Sequence, residues 1–286
     1  MKQCVVVIPV YSESPSRPEK ASYQNTLSVL VGHDIVVVTH RDCDTSVYDN
    51  ISRRLNTNVR YEYFSQQFFS SVHGYNDLCL SEAFYQRFAD YEYMLICQLD
   101  AWVFRDELSY WCGRGYDYIG APIFYGYSSK RFSTRVMGIG NGGLSLRRIT
   151  HAIAVTTAPR SRVFLKPGKI FSIYLNYAIT HDTFRKHPLR MFALPFIIIA
   201  KSVGFHNTLR YYIRHHLNED LIFGSWAASA WGINANIPKR EEAIRFSFEV
   251  HPELLYKEIG CKLPFGCHAY MKWSYASFWS RFIPID

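Results

Sequence analysis

No stretch of this 286-residue chain is apolar for long enough to cross a bilayer. The longest uncharged apolar run outside the first strand candidate, Met191 to Ala200, is bounded by Arg190 and Lys201 and interrupted by Pro195. A spanning helix needs about 20 apolar residues. No Cys-x-x-Cys pair occurs among the seven cysteines, which excludes a zinc site of that kind. Their odd number, and the apolar runs around several of them, make them small core residues of a reducing compartment. The opening "MKQCVVVIPVYSE" has too short an apolar run for a signal peptide and no small-residue cleavage site. The expectation is a soluble or peripheral protein in the cytoplasm, at most on the inner face of the cell membrane. Repeats and low-complexity tracts are absent.

Acidic residues are the scarcer charge, 24 against 32 Lys/Arg, for a net charge of +8. The shortage is local. Arg160 to Leu217 holds ten Lys/Arg (Arg160, Arg162, Lys166, Lys169, Arg185, Lys186, Arg190, Lys201, Arg210, Arg214) and one acid, Asp182. Such a block needs an anionic partner or a solvated face. It contains no recognisable nucleic-acid motif, so nucleic acid is not expected as a partner. Its many aromatics, Phe164, Phe171, Tyr174, Tyr177, Phe184, Phe192, Phe196, Phe205, Tyr211 and Tyr212, suit either an anionic membrane surface or a helical subdomain packed on the core.

What the chain does have is apolar mass: 48% hydrophobic and 16% aromatic residues, enough for a sizeable core. "CVVVIPV" (4–10) and "DIVVVTH" (34–40) read as buried strands, and "NVRYEYF" (58–64) as a third. Helices are expected over 21–31, 45–55 and 71–90, the last with Leu80, Phe84 and Phe88 four apart on one face. "YEYMLICQL" (91–99) is a fourth strand. This alternation predicts an α/β fold with a mostly parallel sheet and helices on both faces. Further strands are expected at 116–124, after the turn "GIGNGG", and at 244–249. A helix is expected over 218–231 with Asn218 as its cap.

Four features can carry chemistry. Asp100 is a lone carboxylate after a buried strand, where an unpaired charge is costly. In parallel sheets ligands gather at the carboxyl ends of strands, so Asp100 can hold a divalent cation; otherwise it caps a helix starting near Asp106. Glu219 and Asp220 can supply a general base, or simply favour a helix start. Asn141, Gly142 and Gly143 lie in a glycine-rich turn that lets backbone approach a ligand, though a plain tight turn explains it equally. His268, in "LPFGCHAY", is a metal ligand or a structural histidine.

The order of these features resembles the GT-A class of nucleotide-sugar-dependent glycosyltransferases. More specifically, "GYNDLCLSEAFYQRFADYEYMLICQLDAWVF", "YWCGRGYDYIGAP", "GNGGLSLR", "NEDLIF", "RFSFE" and "LPFGCHAY" resemble the motifs of one bacterial family catalogued as a domain of unknown function and associated with surface-polysaccharide genes. The resemblance spans nearly the whole chain, 1–286, as one domain with 160–217 as a basic, mainly helical insertion. It implies a nucleotide-sugar site lined by Pro9, Val10, Tyr11 and Thr39, with Tyr75 and Asn76 on a family motif beside it. Asp100 matches the acid of the Asp-x-Asp metal motif, although Gln98-Leu99-Asp100 carries one acid rather than two. His268 matches a late metal-ligating histidine. Asp220 or Glu219 matches the acceptor-activating base of inverting enzymes.

The expectation is therefore an inverting glycosyltransferase using a UDP-sugar and Mn2+ or Mg2+, acting on a surface glycan or a lipid-linked acceptor. The alternatives are a nucleotidyltransferase and a catalytically silent module that binds glycan or anionic lipid.

Overall fold

The apolar runs near the amino terminus have no polar face to offer, so each folds as a strand covered on both sides. The computed structural model describes residues 1–125, 133–159, 162–180 and 192–285. Strands β1 (Lys2–Pro9), β2 (Asp34–Thr39), β3 (Val59–Tyr63) and β4 (Tyr91–Cys97) lie parallel. After β4 the chain reverses through a turn at Leu99-Asp100 into the short β5 (Ala101–Val103). Strands β6 (Tyr118–Ile119), β7 (Pro122–Phe124), β8 (Val136–Ile139) and β9 (Leu144–Arg148) follow. The main sheet has the order β3-β2-β1-β4-β9-β6, with β9 antiparallel to both neighbours. The expected strand over 116–124 is thus two strands, because β7 leaves the main sheet to pair with β8.

Alternate strand residues feed two cores. Val6, Ile8, Val37 and Leu95 pack with Tyr23 and Leu27 of helix α1 (Arg17–Val29) and Tyr48 of helix α2 (Ser46–Arg54). Val5, Val7, Val36 and Ile96 pack on the other face with Leu78, Phe84 and Phe88. The helix expected over 71–90 breaks in two, α3 (Val72–Cys79) and α4 (Glu82–Gln86). The Ser81 side chain caps the second piece by accepting from the Phe84 N–H. Leu80, Phe84 and Phe88 are nonetheless all buried on that face. After helix α5 (Leu108–Gly113), helix α6 (Ile149–Thr157) follows β9 and packs on the same side as α3 and α4.

A small second sheet positions the late motifs. Strand β10 (Ser247–Phe248) pairs with β11 (Gly266–His268), which runs antiparallel to β5. The strand expected over 244–249 shrinks to β10, because Arg240–Phe246 continues as a helix. The register sets His268 opposite Ala101, next to Asp100. A third apolar cluster around Phe248, Tyr270 and Trp279 backs this sheet.

The described part of the basic segment is helical: Pro167–Thr180, Leu194–Ser202 and Leu209–Arg214. Arg160, Asp182, Phe184, Arg185, Lys186 and Arg190 lie outside the described residues. Fully buried Asn207 ties the parts of the segment to one another, while the Lys166 N–H bond to the Ser229 carbonyl and the Trp231 N–H bond to the Phe164 carbonyl join it to the body. The Asn207 amide donates to the Leu165 and Lys201 carbonyls, and its Oδ1 accepts from the Leu165 N–H and the Tyr212 hydroxyl. The aromatics divide: Phe164 and Tyr212 are core residues, whereas Phe171, Tyr177, Phe192, Phe196 and Phe205 are exposed. No helix among the described residues is long and apolar enough to cross a membrane.

Candidate active site

The turn Gly140–Gly143 between β8 and β9 is the centre of the site, because two acidic clusters meet it from opposite sides. On one side, the Gly142 N–H donates to Asp220 Oδ2 at 3.3 Å. A Cβ on Gly142 would lie 2.2 Å from Glu219 Oε1, so only glycine fits. On the other side, a Cβ on Gly143 would lie 2.0 Å from His268 Nε2. Asn141 sits in the left-handed region at φ 66° and is 5% exposed. Its Oδ1 accepts from the Gly143 N–H and its Nδ2 donates to Glu249 Oε2, so its side chain is spent inside the turn.

The adjacent acids Glu219 and Asp220 part company. Glu219 is 3% exposed and pairs at 2.8 Å with Arg147, itself 1% exposed. Arg147 also donates to the Tyr85 hydroxyl and Ser145 Oγ, and its guanidinium lies over the rings of Tyr118 and Phe223. Glu219 therefore neutralises a buried cation. Asp220 is only partly buried, and Oδ1 accepts from the Leu221 N–H. Desolvation first, then the Glu219 and Glu249 charges, push its pKa up to about 7. The expected helix over 218–231 is a single turn, Glu219–Leu221, followed by π-type and 3-10 turns with non-helical backbone at Gly224. Asn218 makes no cap; the Glu219 N–H donates instead to Asn76 Oδ1.

Asp100 caps no helix; Asp106 receives the Leu108 N–H at that helix start. Asp100 Oδ1 lies 3.0 Å from His268 Nε2, and Glu249 Oε1 lies 3.4 Å from His268 Nδ1. Burial pushes the His268 pKa down, but Asp100 and Glu249 outweigh it and raise it to about 10. Burial likewise opposes the Asp100 charge, yet His268 holds that carboxyl below its ordinary range. Neither imidazole nitrogen makes an aligned hydrogen bond despite these close approaches. A carboxylate behind a histidine whose other nitrogen faces a second carboxylate is the arrangement found at histidine-ligated metals. The described residues hold no group of three or more His, Cys, Asp or Glu suited to a metal. Asp100 and His268 thus offer two ligands, which fits Mg2+ or Mn2+ completed by water and substrate phosphates.

Beside Asp100, a cavity of about 370 Å³ opens between the strand ends Pro9 and Gln98 and an aromatic wall of Tyr11, Phe68, Phe69 and Tyr75. The buried Tyr75 hydroxyl has no partner. Burial, then the Glu19 and Asp100 charges, push the Tyr11 hydroxyl up to about 12. Val10 and Thr39 are fully buried and do not line this cavity, and Asn76 positions Glu219 rather than facing it. Sequence reasoning missed Arg147, Glu249, Phe68 and Phe69. No signal in "LSLRR" marks Arg147: it shares the Ser145 face, opposite Leu144 and Leu146, and reads from sequence as solvent-facing.

A family profile described as "Protein of unknown function (DUF5672)" matches residues 58–268, 211 of the 286 residues. The chain belongs to the DUF5672 family. No curated protein matches this DUF5672 chain. Among solved structures it is similar to core-mannan synthase A of Aspergillus fumigatus in an Mn/GDP form, at 10% identity and TM-score 0.34, over 44% of each chain. The DUF5672 chain thus spans less than half of that synthase's length. It is also similar to the PaToxG glycosyltransferase, at 11% identity and TM-score 0.31, over 77% of this chain and 84% of that one. The A197 protein of STIV matches at 13% identity and TM-score 0.30, over 53% of this chain and 67% of that one. Likeness at this level carries no information on chemistry.

Proposed function

We propose that this protein is a GT-A-like glycosyltransferase. It moves a sugar from a nucleotide-diphosphate sugar, a UDP-sugar, to a surface-glycan or lipid-linked acceptor, with inversion. The observation that carries this reading is the turn Gly140–Gly143, which joins a carboxylate of pKa about 7 to an Asp–His pair. A group that must take a proton near neutrality needs that pKa. The base is Asp220, since Glu219 is committed to Arg147. Asp100 and His268 would hold Mn2+ or Mg2+, which when bound would supply positive charge against the leaving diphosphate. Tyr11, Phe68, Phe69 and Tyr75 receive the nucleotide base, and the Pro9 and Gln98 strand ends border it. The turn glycines leave room for Glu219 and His268 to close on the turn.

Product analysis tests the reaction class. Transfer or slow hydrolysis of a UDP-sugar releases UDP. Release of pyrophosphate instead identifies a nucleotidyltransferase. Failure of any nucleotide sugar to stabilise the protein, with or without manganese, leaves a silent binding module.

Acceptor delivery falls to segment 160–217. Phe196 and Ile199 share one face of the helix Leu194–Ser202, Phe192 and Val203 flank its two ends, and each of the four is at least 64% exposed. Over 162–180 and 192–217 the sequence has six Lys/Arg and no acid. An exposed apolar face within a cationic segment suits the surface of an anionic membrane, where each basic residue contributes about 1 kcal/mol. Co-sedimentation with anionic vesicles, weakening with salt, is the expected result. Equal pelleting with zwitterionic vesicles refutes it.

A further inference from the structure

A second cavity, of about 360 Å³, lies on the flank of the protein between helix α6 and the segment 231–234. It shares no lining residue with the Tyr11–Tyr75 cavity. Strand β9 separates it from the turn Gly140–Gly143. Leu144 pairs with Cys97 at the Asp100 end of the sheet, while Arg148 pairs with Tyr93 near the other end. At roughly 3.3 Å per residue, the two ends of β9 stand about 13 Å apart. His151 lies in the first turn of α6, beyond the far end.

Two features of this cavity have no structural explanation. Trp231, 50% exposed, offers its indole to the cavity from a segment turned by Gly232 at φ 73°. It is the sole tryptophan among the described exposed large hydrophobics. Lys166 Nζ lies 5.7 Å from the Trp231 ring centroid, which fixes the indole without filling the cavity. His151 also lines the cavity, is 8% exposed, and its Nε2 is buried with no hydrogen-bond partner. A buried polar atom without a partner calls for a ligand or an ordered water. The remaining polar lining is Arg162, Thr157 and Asn234, with no carboxylate among the lining residues.

An apolar platform, a convergent imidazole and amide, and a guanidinium unopposed among the described residues make up a site for a ring that is apolar on its face and hydroxylated at its edge. We propose that this cavity binds a saccharide unit bearing an anionic group, away from the transfer site. Its ring stacks on Trp231, a hydroxyl pairs with His151 Nε2, and its carboxylate or phosphate meets Arg162. The choice of a saccharide rests on the glycosyl-transfer reading; the binding itself does not. In that setting the cavity holds a distal residue of a glycan acceptor while the growing end reaches Asp220.

The test is saturation-transfer NMR with calorimetry on the full chain. Trigalacturonate probes a carboxylated sugar, mannose 6-phosphate a phosphorylated one, and maltotriose a neutral one. Saturable binding of at least one anionic probe is expected, at least tenfold tighter than maltotriose. Trp231→Ala should weaken it at least tenfold, with Trp231→Phe intermediate and His151→Ala impaired. UDP binding, measured in parallel, should be unchanged in these variants and reports that they are folded. Binding that ignores Trp231, or is matched by inorganic phosphate at equal affinity, overturns the saccharide assignment. So does the absence of binding by all three probes. Absence of UDP binding by wild type would refute the transfer reading while leaving the cavity measurement intact, with far-UV circular dichroism then reporting that the variants are folded.

Discussion

Replacing Asp220 by asparagine sets activity against stability. The carboxyl pKa rises from an ordinary 3.8 to about 7, chiefly through desolvation. A carboxyl whose folded-state pKa is raised binds its proton more tightly folded than unfolded. Stability is therefore highest below the unfolded value and is lost as pH rises toward 7. At about 1.4 kcal/mol for each pH unit, the cost of holding the charge above pH 7 is on the order of 4 kcal/mol. Asparagine carries no such charge. It keeps one acceptor oxygen for the Gly142 and Leu221 N–H groups that the two carboxylate oxygens now serve, a loss of about 1 kcal/mol. The net expectation for Asp220→Asn at pH 8 is a gain of about 3 kcal/mol, or a melting temperature higher by roughly 6 °C. The gain should vanish by pH 4. Turnover should fall by roughly a hundredfold or more, and the wild-type rate should rise with pH through about 7 and level off. Melting curves by circular dichroism at pH 4 and 8, with UDP release across the same range, measure both. A variant that is less stable at pH 8, or as active as wild type with the same profile, refutes the role of Asp220.

Glu219→Gln should leave Arg147 unpaired in the core and cost about 3–5 kcal/mol in urea unfolding; an undiminished midpoint would mean that the pair is not a structural anchor. Asp100→Asn is expected to abolish any manganese-dependent thermal shift by UDP, because ligand binding to the folded state raises the apparent stability; an unaltered shift removes the cation from Asp100. Gly143→Ala would drive a methyl into His268 and should remove the same shift while far-UV circular dichroism stays near wild type. Phe196→Asp with Ile199→Asp should abolish vesicle co-sedimentation with UDP affinity unchanged; retained pelleting would leave the exposed face without a membrane role.

The parallel half of the sheet was open to sequence reasoning because buried strands need continuous apolar runs, and "CVVVIPV" and "DIVVVTH" have them. Asp100 stood out for the same reason, as a charge where none belongs. The Ser81 break was hidden because Leu80, Phe84 and Phe88 keep one face across it, so periodicity cannot register the new cap. Glu219 and Asp220 could not be told apart in sequence, because only the long-range pairing with Arg147 separates them. Glu249 sits in a motif but gains meaning only through β10–β11 pairing, which brings it to His268. Thr39 and Val10 close strand ends, where ligands gather, yet both side chains are fully buried.

The turn Gly140–Gly143 also has a historical consequence. Both halves of the chemistry touch the same four residues, so no insertion or shortening there can spare one half. The basic segment joins the chain between that turn and Glu219, and backbone bonds from Phe164 and Lys166 to Trp231 and Ser229 secure it on the flank. Descendants of one ancestral protein can therefore lengthen, recharge or replace residues 160–217, and so change where the protein works and on what, while the reacting groups stay fixed.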